Sequence, residues 1–361
     1  MNCVQALAIA AAALVAAGEP VLAPLAHAQA VVAAGAAQTE AMSRAAIADA
    51  VEELAALLES RYVVPEQGVA YAEAIRSDAR AGAFDGKSET ELAAALQTRV
   101  NGVQRDRHFR VVSAGDDQDG DMSAEEAIGD GAWMHDGVAY LPIRMFPDDQ
   151  ASQQRMRTLL ASFAGAHTLI LDMRTCYGGS LPVIDVLFGE LYPTSVHAMT
   201  IDFRQGADPE AEAEFAHYAS MRRADAPQGV SRWEHWATPG AALLAHAQVI
   251  ALTGRTISAC EHVALALQHT GRGTLIGERT FGAGYYGTMA RFGGNLEAWV
   301  STGNSYNPKT GQGWEGVGIE PDISTTRAGA LDYALRHIAQ ARRASLPIPD
   351  ASIHATRSAR V

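Results

Sequence analysis

Apolar positions recur along this chain with two different periods, and the change of period divides it. Between Ser43 and Arg61, Ala46, Ile47, Val51, Leu54, Leu57 and Leu58 recur with a helical period, on one face of a helix. The stretches Tyr71 to Ala79 and Glu89 to Val103 repeat that pattern. The second opens with Ser88-Glu89-Thr90-Glu91, a sequence in which hydroxyl and carboxylate can cap each other's backbone. Phe109 to Val112 then reads as strand-like, followed by a Gly/Asp linker. From about residue 130 short apolar runs replace the long faces. Val138 to Ile143, His167 to Asp172, Val196 to Phe203, Gln248 to Thr253 and Thr274 to Gly277 predict strands. Helical patterns alternate with them at Gln150 to Ala164, Pro182 to Leu191 and Ala259 to His269. Leu296 to Ser301 adds a strand and Ala328 to Ala344 a closing helix. Alternation of this kind predicts an α/β core with parallel strand pairs.

The organisation expected is a helical domain over 43–112, an α/β core over 130–345 and a short tail over 346–361. A polar, acidic stretch at 204–237, carrying Phe215, Tyr218, Trp233 and Trp236, interrupts the core between two strands. Such an insertion is either a surface excursion or a substrate-selecting element. No internal repeat is present.

Residues 1–30 read as a secretory signal. The run Ala6 to Ala17 is apolar, and both Ala26-His27-Ala28 and Ala28-Gln29-Ala30 supply small-x-small cleavage sites. The segment before the run, Met1 to Gln5, has no Lys or Arg, an atypical feature. A low-complexity linker over 31–42 follows. The expectation is an exported protein, periplasmic or extracellular, with no stable membrane insertion once the signal is removed.

Composition narrows the partners. A net charge of −13 over 361 residues argues against nucleic acid. The acidic cluster Asp116 to Asp121 lacks the spacing and terminal Glu of a calcium loop and reads as solvated. No paired-His metal spacing occurs, and Cys260-Glu261-His262 does not place ligands on one helix face, so neither metal nor cofactor is expected. Signal removal leaves two cysteines, Cys176 and Cys260. They are either two buried thiols or a disulfide or redox pair joining two loops.

Ser258 stands where the strand ending at Thr253 gives way to a helix. That position suits an N-cap, the commonest role of serine there. It also suits a nucleophile, since the amides of the next turn favour developing negative charge. Three other segments bear on the choice: Asp172-Met173-Arg174-Thr175-Cys176-Tyr177-Gly178-Gly179, His108 within Arg107-His108-Phe109, and Gly313-Trp314-Glu315-Gly316-Val317-Gly318 followed by Pro321-Asp322.

In this order these segments resemble the tail-specific, or C-terminal-processing, serine peptidases of family S41. The similarity is greatest to the branch containing the tricorn protease core and the interphotoreceptor retinoid-binding protein repeats, and it extends over roughly residues 43–340. The resemblance implies an α/β (α+β) peptidase core with a mixed sheet and flanking helices, preceded by a small helical domain and lacking a PDZ domain. It implies Ser258 as nucleophile, His108 as general base and Glu315 as the carboxylate that orients the imidazole. The amide of Ala259, with one from Gly178 or Gly179, would form the oxyanion hole. Peptides or proteins are the implied substrates; an esterase and a non-catalytic binder of apolar ligands are the alternatives, and oligomeric state is left open. The family's Ser–Lys variant would need a lysine where Ala283 stands, and the two lysines here, Lys87 and Lys309, fall elsewhere. Gly-x-Ser-x-Gly is absent, which argues against an α/β-hydrolase elbow. Two departures stand out: Cys176 replaces a frequent Asn, and Arg107 replaces the serine before the histidine. Arg107 could act on the histidine or on a substrate carboxylate, Asp106 could orient the imidazole in place of Glu315, and Asp172 with Arg174 could form an internal ion pair.

Overall fold

The computed structural model describes residues 40–114, 122–135 and 137–345. The expected signal, most of the linker, the acidic cluster at 116–121 and the tail at 346–361 lie outside the described residues. The chain opens with α1 (Arg44–Arg61), α2 (Pro65–Arg80) and α3 (Glu89–Val103). It continues through β1 (Val111–Ser113), α4 (Ala124–Ala127), β2 (Ala132–Trp133), β3 (Val138–Pro142), α5 (Gln150–Ser162), β4 (Thr168–Asp172) and α6 (Leu181–Leu191). Next come β5 (Val196–Arg204), α7 (Pro209–Phe215), β6 (Met221–Ala224), β7 (Val230–Ala237), β8 (Gln248–Thr253), α8 (Ala259–His269) and β9 (Gly273–Gly277). The last elements are β10 (Tyr285–Phe292), β11 (Leu296–Tyr306), β12 (Ile323–Ser324) and α9 (Ala330–Ser345).

Two sheets result. One has the order β12-β9-β8-β4-β3-β2 and is parallel except for the β2–β3 edge. Every residue of β4 is buried, because both faces of this sheet are covered. Leu169 and Leu171 face the main core beneath α5, α6 and α8, while Ile170, with Ile250, Leu252 and Ile276, packs against Ala330, Ala334 and Ile338 of α9. The second sheet is antiparallel, in the order β1-β11-β5-β7-β6, with β10 also on β11. On β7 buried and half-buried residues alternate, so Ser231, Trp233, His235 and Ala237 turn inward. The acidic 204–237 stretch thus supplies helix α7 and strands β6 and β7.

The helices α1, α2 and α3 build a common apolar cluster with Phe109, Val111, Phe292, Leu296, Ala298 and Val300. The capping-box sequence at Ser88 forms as expected, with Ser88 N–H donating to Glu91 at 2.9 Å. α1 likewise has Ser43 accepting the Ala46 amide at 3.1 Å. Among the described residues, no helix is long and apolar enough to cross a membrane.

Candidate active site

The Ser258 turn is held from beneath. Strands β4 and β8 lie side by side, and the turns that leave them are stitched together. Arg255 N–H donates to the Arg174 carbonyl at 2.9 Å, Ile257 N–H to the Cys176 carbonyl at 2.9 Å, and Thr256 Oγ1–H to the Met173 carbonyl at 2.8 Å. Ser258 then takes φ 54° and ψ −121° as the residue before α8. A non-glycine residue with positive φ is rare and costs of order 1–3 kcal/mol, so the surrounding contacts must hold it.

Glu261 supplies the strongest of those contacts. Its carboxylate, fully buried, accepts the Ser258 amide at 2.9 Å and the Ala283 amide at 2.8 Å on one oxygen. The other oxygen accepts Thr280 Oγ1–H and the Gly282 amide, each at 2.6 Å. Burial raises this carboxyl above its ordinary value, against the pull of the four donors. The residue thereby joins the serine turn to the 280–283 strand exit.

Across from Ser258 lies the Gly178-Gly179 turn, with φ of 120° and 124°. A Cβ on Gly178 would meet Ser258 Cβ at 3.0 Å, and one on Gly179 would run into the Phe146 carbonyl at 2.1 Å. The Gly178 amide donates to Cys260 Sγ at 3.1 Å and its carbonyl accepts from Phe146. Of the two glycine amides, Gly178's is therefore already committed. Cys176 and Cys260, both fully buried, have their sulfurs 1.96 Å apart and Cα atoms 6.0 Å apart, which is disulfide pairing. It ties the glycine turn to the first turn of α8.

His108 and Glu315 stand on neighbouring loops. The Glu315 carboxylate accepts the Gly284 amide at 2.6 Å, the Tyr285 amide at 3.0 Å and the Arg107 amide at 3.4 Å. Burial and the nearby negative charge of Asp106 raise it to about 7. Its neighbour Trp314 is buried and donates Nε1–H to the Ala283 carbonyl at 3.1 Å. The His108 ring stacks on Trp299 with centroids 5.8 Å apart. Both its nitrogens are buried without a hydrogen-bond partner among the described residues. The imidazole is thus hydrogen-bonded neither to Ser258 nor to Glu315, and burial lowers its pKa, which favours the neutral base.

The remaining candidates have structural partners. Asp106 is buried; it accepts the His108 and Phe109 amides at 2.8 and 3.1 Å, and Tyr62 and Ser301 hydroxyls at 2.9 and 2.7 Å. It shapes the His108 loop through the backbone and does not touch the ring. Arg107 donates to the carbonyls of Phe281 and Gly316 and lies over the Phe281 ring. Asp172 and Arg174 form an ion pair at 2.6 Å, with Tyr140 donating to the same carboxylate oxygen.

A cleft of about 660 Å3, open to solvent, contains Ser258 and Ala259. Its walls are mostly apolar, with Leu181, Met199, Ile201, Phe215 and Trp314 among them, and Trp299 links it to His108. Phe215 and Tyr218 come from the 204–237 stretch. His262, weighed in the sequence only as a metal ligand, lines it as well, one helical turn beyond Ser258. The signal available was its i+4 spacing from the serine, which puts both on one helix face. Among the described residues, no three Cys, His, Asp or Glu side chains cluster as a metal site would require.

The family model of peptidase family S41 matches residues 137–325, just over half of the chain. The chain belongs to this peptidase family. Its fold is similar to that of a putative peptidase from Parabacteroides merdae, with a TM-score of 0.60 at 15% identity, covering 83% of this chain and 99% of that one. A lipoprotein from Streptococcus agalactiae is similar at a TM-score of 0.53 and 14% identity, covering 83% and 97%. A segment of 75 residues is 39% identical to the carboxy-terminal-processing protease of Bartonella bacilliformis. That match spans 21% of this chain and 17% of the relative.

Proposed function

We propose that this chain is an exported serine-type peptidase that cleaves peptide bonds through an acyl-enzyme at Ser258. The observation that carries the reading is the backbone of Ser258: a serine held at φ 54° between a buried strand and a helix, on the wall of a cleft. A capping serine needs no such conformation, since caps use ordinary extended φ and ψ, as Ser43 and Ser88 do here. His108 acts as general base, taking the Oγ proton and returning it to the leaving amine. Glu315 holds the imidazolium that forms. The imidazole has no side-chain hydrogen bond to give up on moving towards Oγ, only its stacking on Trp299. The amides of Ala259 and Gly179 receive the oxyanion, the Gly178 amide being engaged with sulfur. Export rests on the apolar run from Ala6 to Ala17 and the small-x-small sites after it.

Fluorophosphonate labelling of the purified protein, with Ser258→Ala as control, tests the assignment. Labelling that disappears in Ser258→Ala, with peptide turnover lost in parallel, is the expected result. Wild-type protein that neither labels nor cleaves peptides would leave the cleft as a site for apolar ligands.

A further inference from the structure

A chain of buried hydrogen bonds runs from a second groove into the cleft beside Ser258. Asp185, on α6, is part-exposed in that outer groove. Its carboxylate accepts from Ser220 Oγ–H at 2.7 Å and pairs with His235 Nε2 at 2.8 Å. His235, on β7, is fully buried, and its Nδ1 lies 3.0 Å from His262 Nε2. The rings cannot swivel freely. Phe188 stacks on His235 with centroids 5.8 Å apart and meets His262 edge-on at 6.0 Å, while the two imidazoles cross at 76°.

The polarity of this chain follows from its end. A carboxylate only accepts, so a neutral His235 carries its proton on Nε2 and presents a bare Nδ1 to His262. His262 must then donate from Nε2, which leaves its own Nδ1 with a lone pair. The hydrogen bond His262 makes among the described residues is through Nε2, and the residue, 3% exposed, lines the cleft. The wall it shares is mostly apolar, including Leu181, Met199 and Phe215, with Ser180, Ser305 and the Tyr218–Glu214 hydrogen-bonded pair also on it.

We infer that His262 is a specificity-determining acceptor, which selects substrates placing a hydrogen-bond-donating group, such as the hydroxyl of Thr or Tyr, on an otherwise apolar side chain in this cleft. Asp185 and His235 are positioning residues that fix its tautomer. The inference rests on the peptidase reading for its substrate, and on geometry alone for its tautomer. A polar atom buried opposite an apolar substrate loses its water without a replacement, and that loss is the source of discrimination.

Two measurements test it together. Peptidyl phosphonate diphenyl esters react with an activated serine and carry a side chain into the pocket beside it. The Thr probe is expected to inactivate the protein about tenfold faster than its isostere Val, and Tyr faster than Phe by a similar factor. In Asp185→Asn the amide can donate as well as accept, so the preference should fall towards unity; in His262→Leu it should reverse. Nitrogen-15 NMR of the histidine rings, on wild type and Asp185→Asn, reads the tautomer directly. A bare Nδ1 on His262 that is lost in Asp185→Asn is the expected result. Equal rates within both probe pairs, an unchanged preference in Asp185→Asn, or a protonated His262 Nδ1 would overturn the inference. Failure of every phosphonate and of fluorophosphonate to label wild type would instead defeat the Ser258 assignment, with the NMR tautomer still deciding the state of His262.

Discussion

The carboxylate of Glu261 accepts the amide of Ser258 at 2.9 Å, reaching back three residues from within the helix that Ser258 begins. Because the same carboxylate binds Thr280, Gly282 and Ala283, one side chain fixes both the serine turn and the segment opposite. Removing it strands four donors, most of them buried. Glu261→Ala is therefore expected to cost about 3–5 kcal/mol, read by chemical denaturation. Glu261→Gln keeps the shape but turns an amide group towards donors, so it should fall between. A loss below about 1 kcal/mol for Glu261→Ala would show that this brace carries little.

The strained serine gives a prediction of opposite sign. At φ 54° and ψ −121° a glycine is comfortable, whereas a side chain is not. Ser258→Gly relieves that strain, part of the gain being lost to the greater freedom of glycine in the unfolded chain. The expected outcome is a protein about 0.5–1 kcal/mol more stable that no longer labels with fluorophosphonate, the trade expected where strain serves a reaction. Ser258→Ala, which keeps the Cβ, should melt within a degree or two of wild type. A Ser258→Gly variant less stable than Ser258→Ala would remove strain as the explanation of this backbone.

How far these arrangements could be read along the chain depends on their sequence separation. Helix α8 and strand β8 have the limits that periodicity predicts, and α1 differs by a single residue, because each is decided by local spacing. Strand β10 escaped notice: Tyr285-Tyr286-Gly287 breaks its alternation, and the structure has a register shift between Tyr286 and Gly287. The alternation of Trp233 and His235 on β7 was visible in principle, but the acidic composition around it suggested a loop. Cys176 and Cys260 were legible as a possible pair only because each lay beside a candidate catalytic motif. The Asp185–His235–His262 chain was not legible, since its members come from a helix, a strand of the other sheet and a second helix. No spacing rule brings those three together; only the packing of α6 and α8 against β7 and its sheet does.

The disulfide makes its own prediction. It closes a loop of 84 residues, for which loop-closure entropy gives about 4–5 kcal/mol of stabilisation. Thiol titration of denatured, non-reduced protein should find Cys3 at most, with Cys176 and Cys260 silent. Reduction should lower stability by about 4 kcal/mol and slow serine labelling without abolishing it. The slowing is partial because Arg255, Thr256 and Ile257 stay bonded to the Arg174, Met173 and Cys176 carbonyls. Two reactive thiols beyond Cys3 in unreduced protein would end the pairing.

Glu315 ties stability to pH and to turnover. Its carboxyl is raised to about 7, chiefly by burial and then by the charge of Asp106. The folded protein therefore holds this proton more tightly than the unfolded chain does. Its contribution is fully present below about pH 4.5, where both states are protonated, and is lost as pH rises to about 7. The loss over that window is of order 2–3 kcal/mol, and Glu315→Gln, which cannot ionise, should flatten it. Activity moves the other way. The carboxylate is the form that stabilises an imidazolium, so turnover should rise as pH passes through about 7. Glu315→Gln should lose most of its turnover while gaining stability near pH 8. Denaturation and peptide-cleavage profiles measured on the same two proteins would decide it. An unchanged activity profile in Glu315→Gln would mean that another group orients His108.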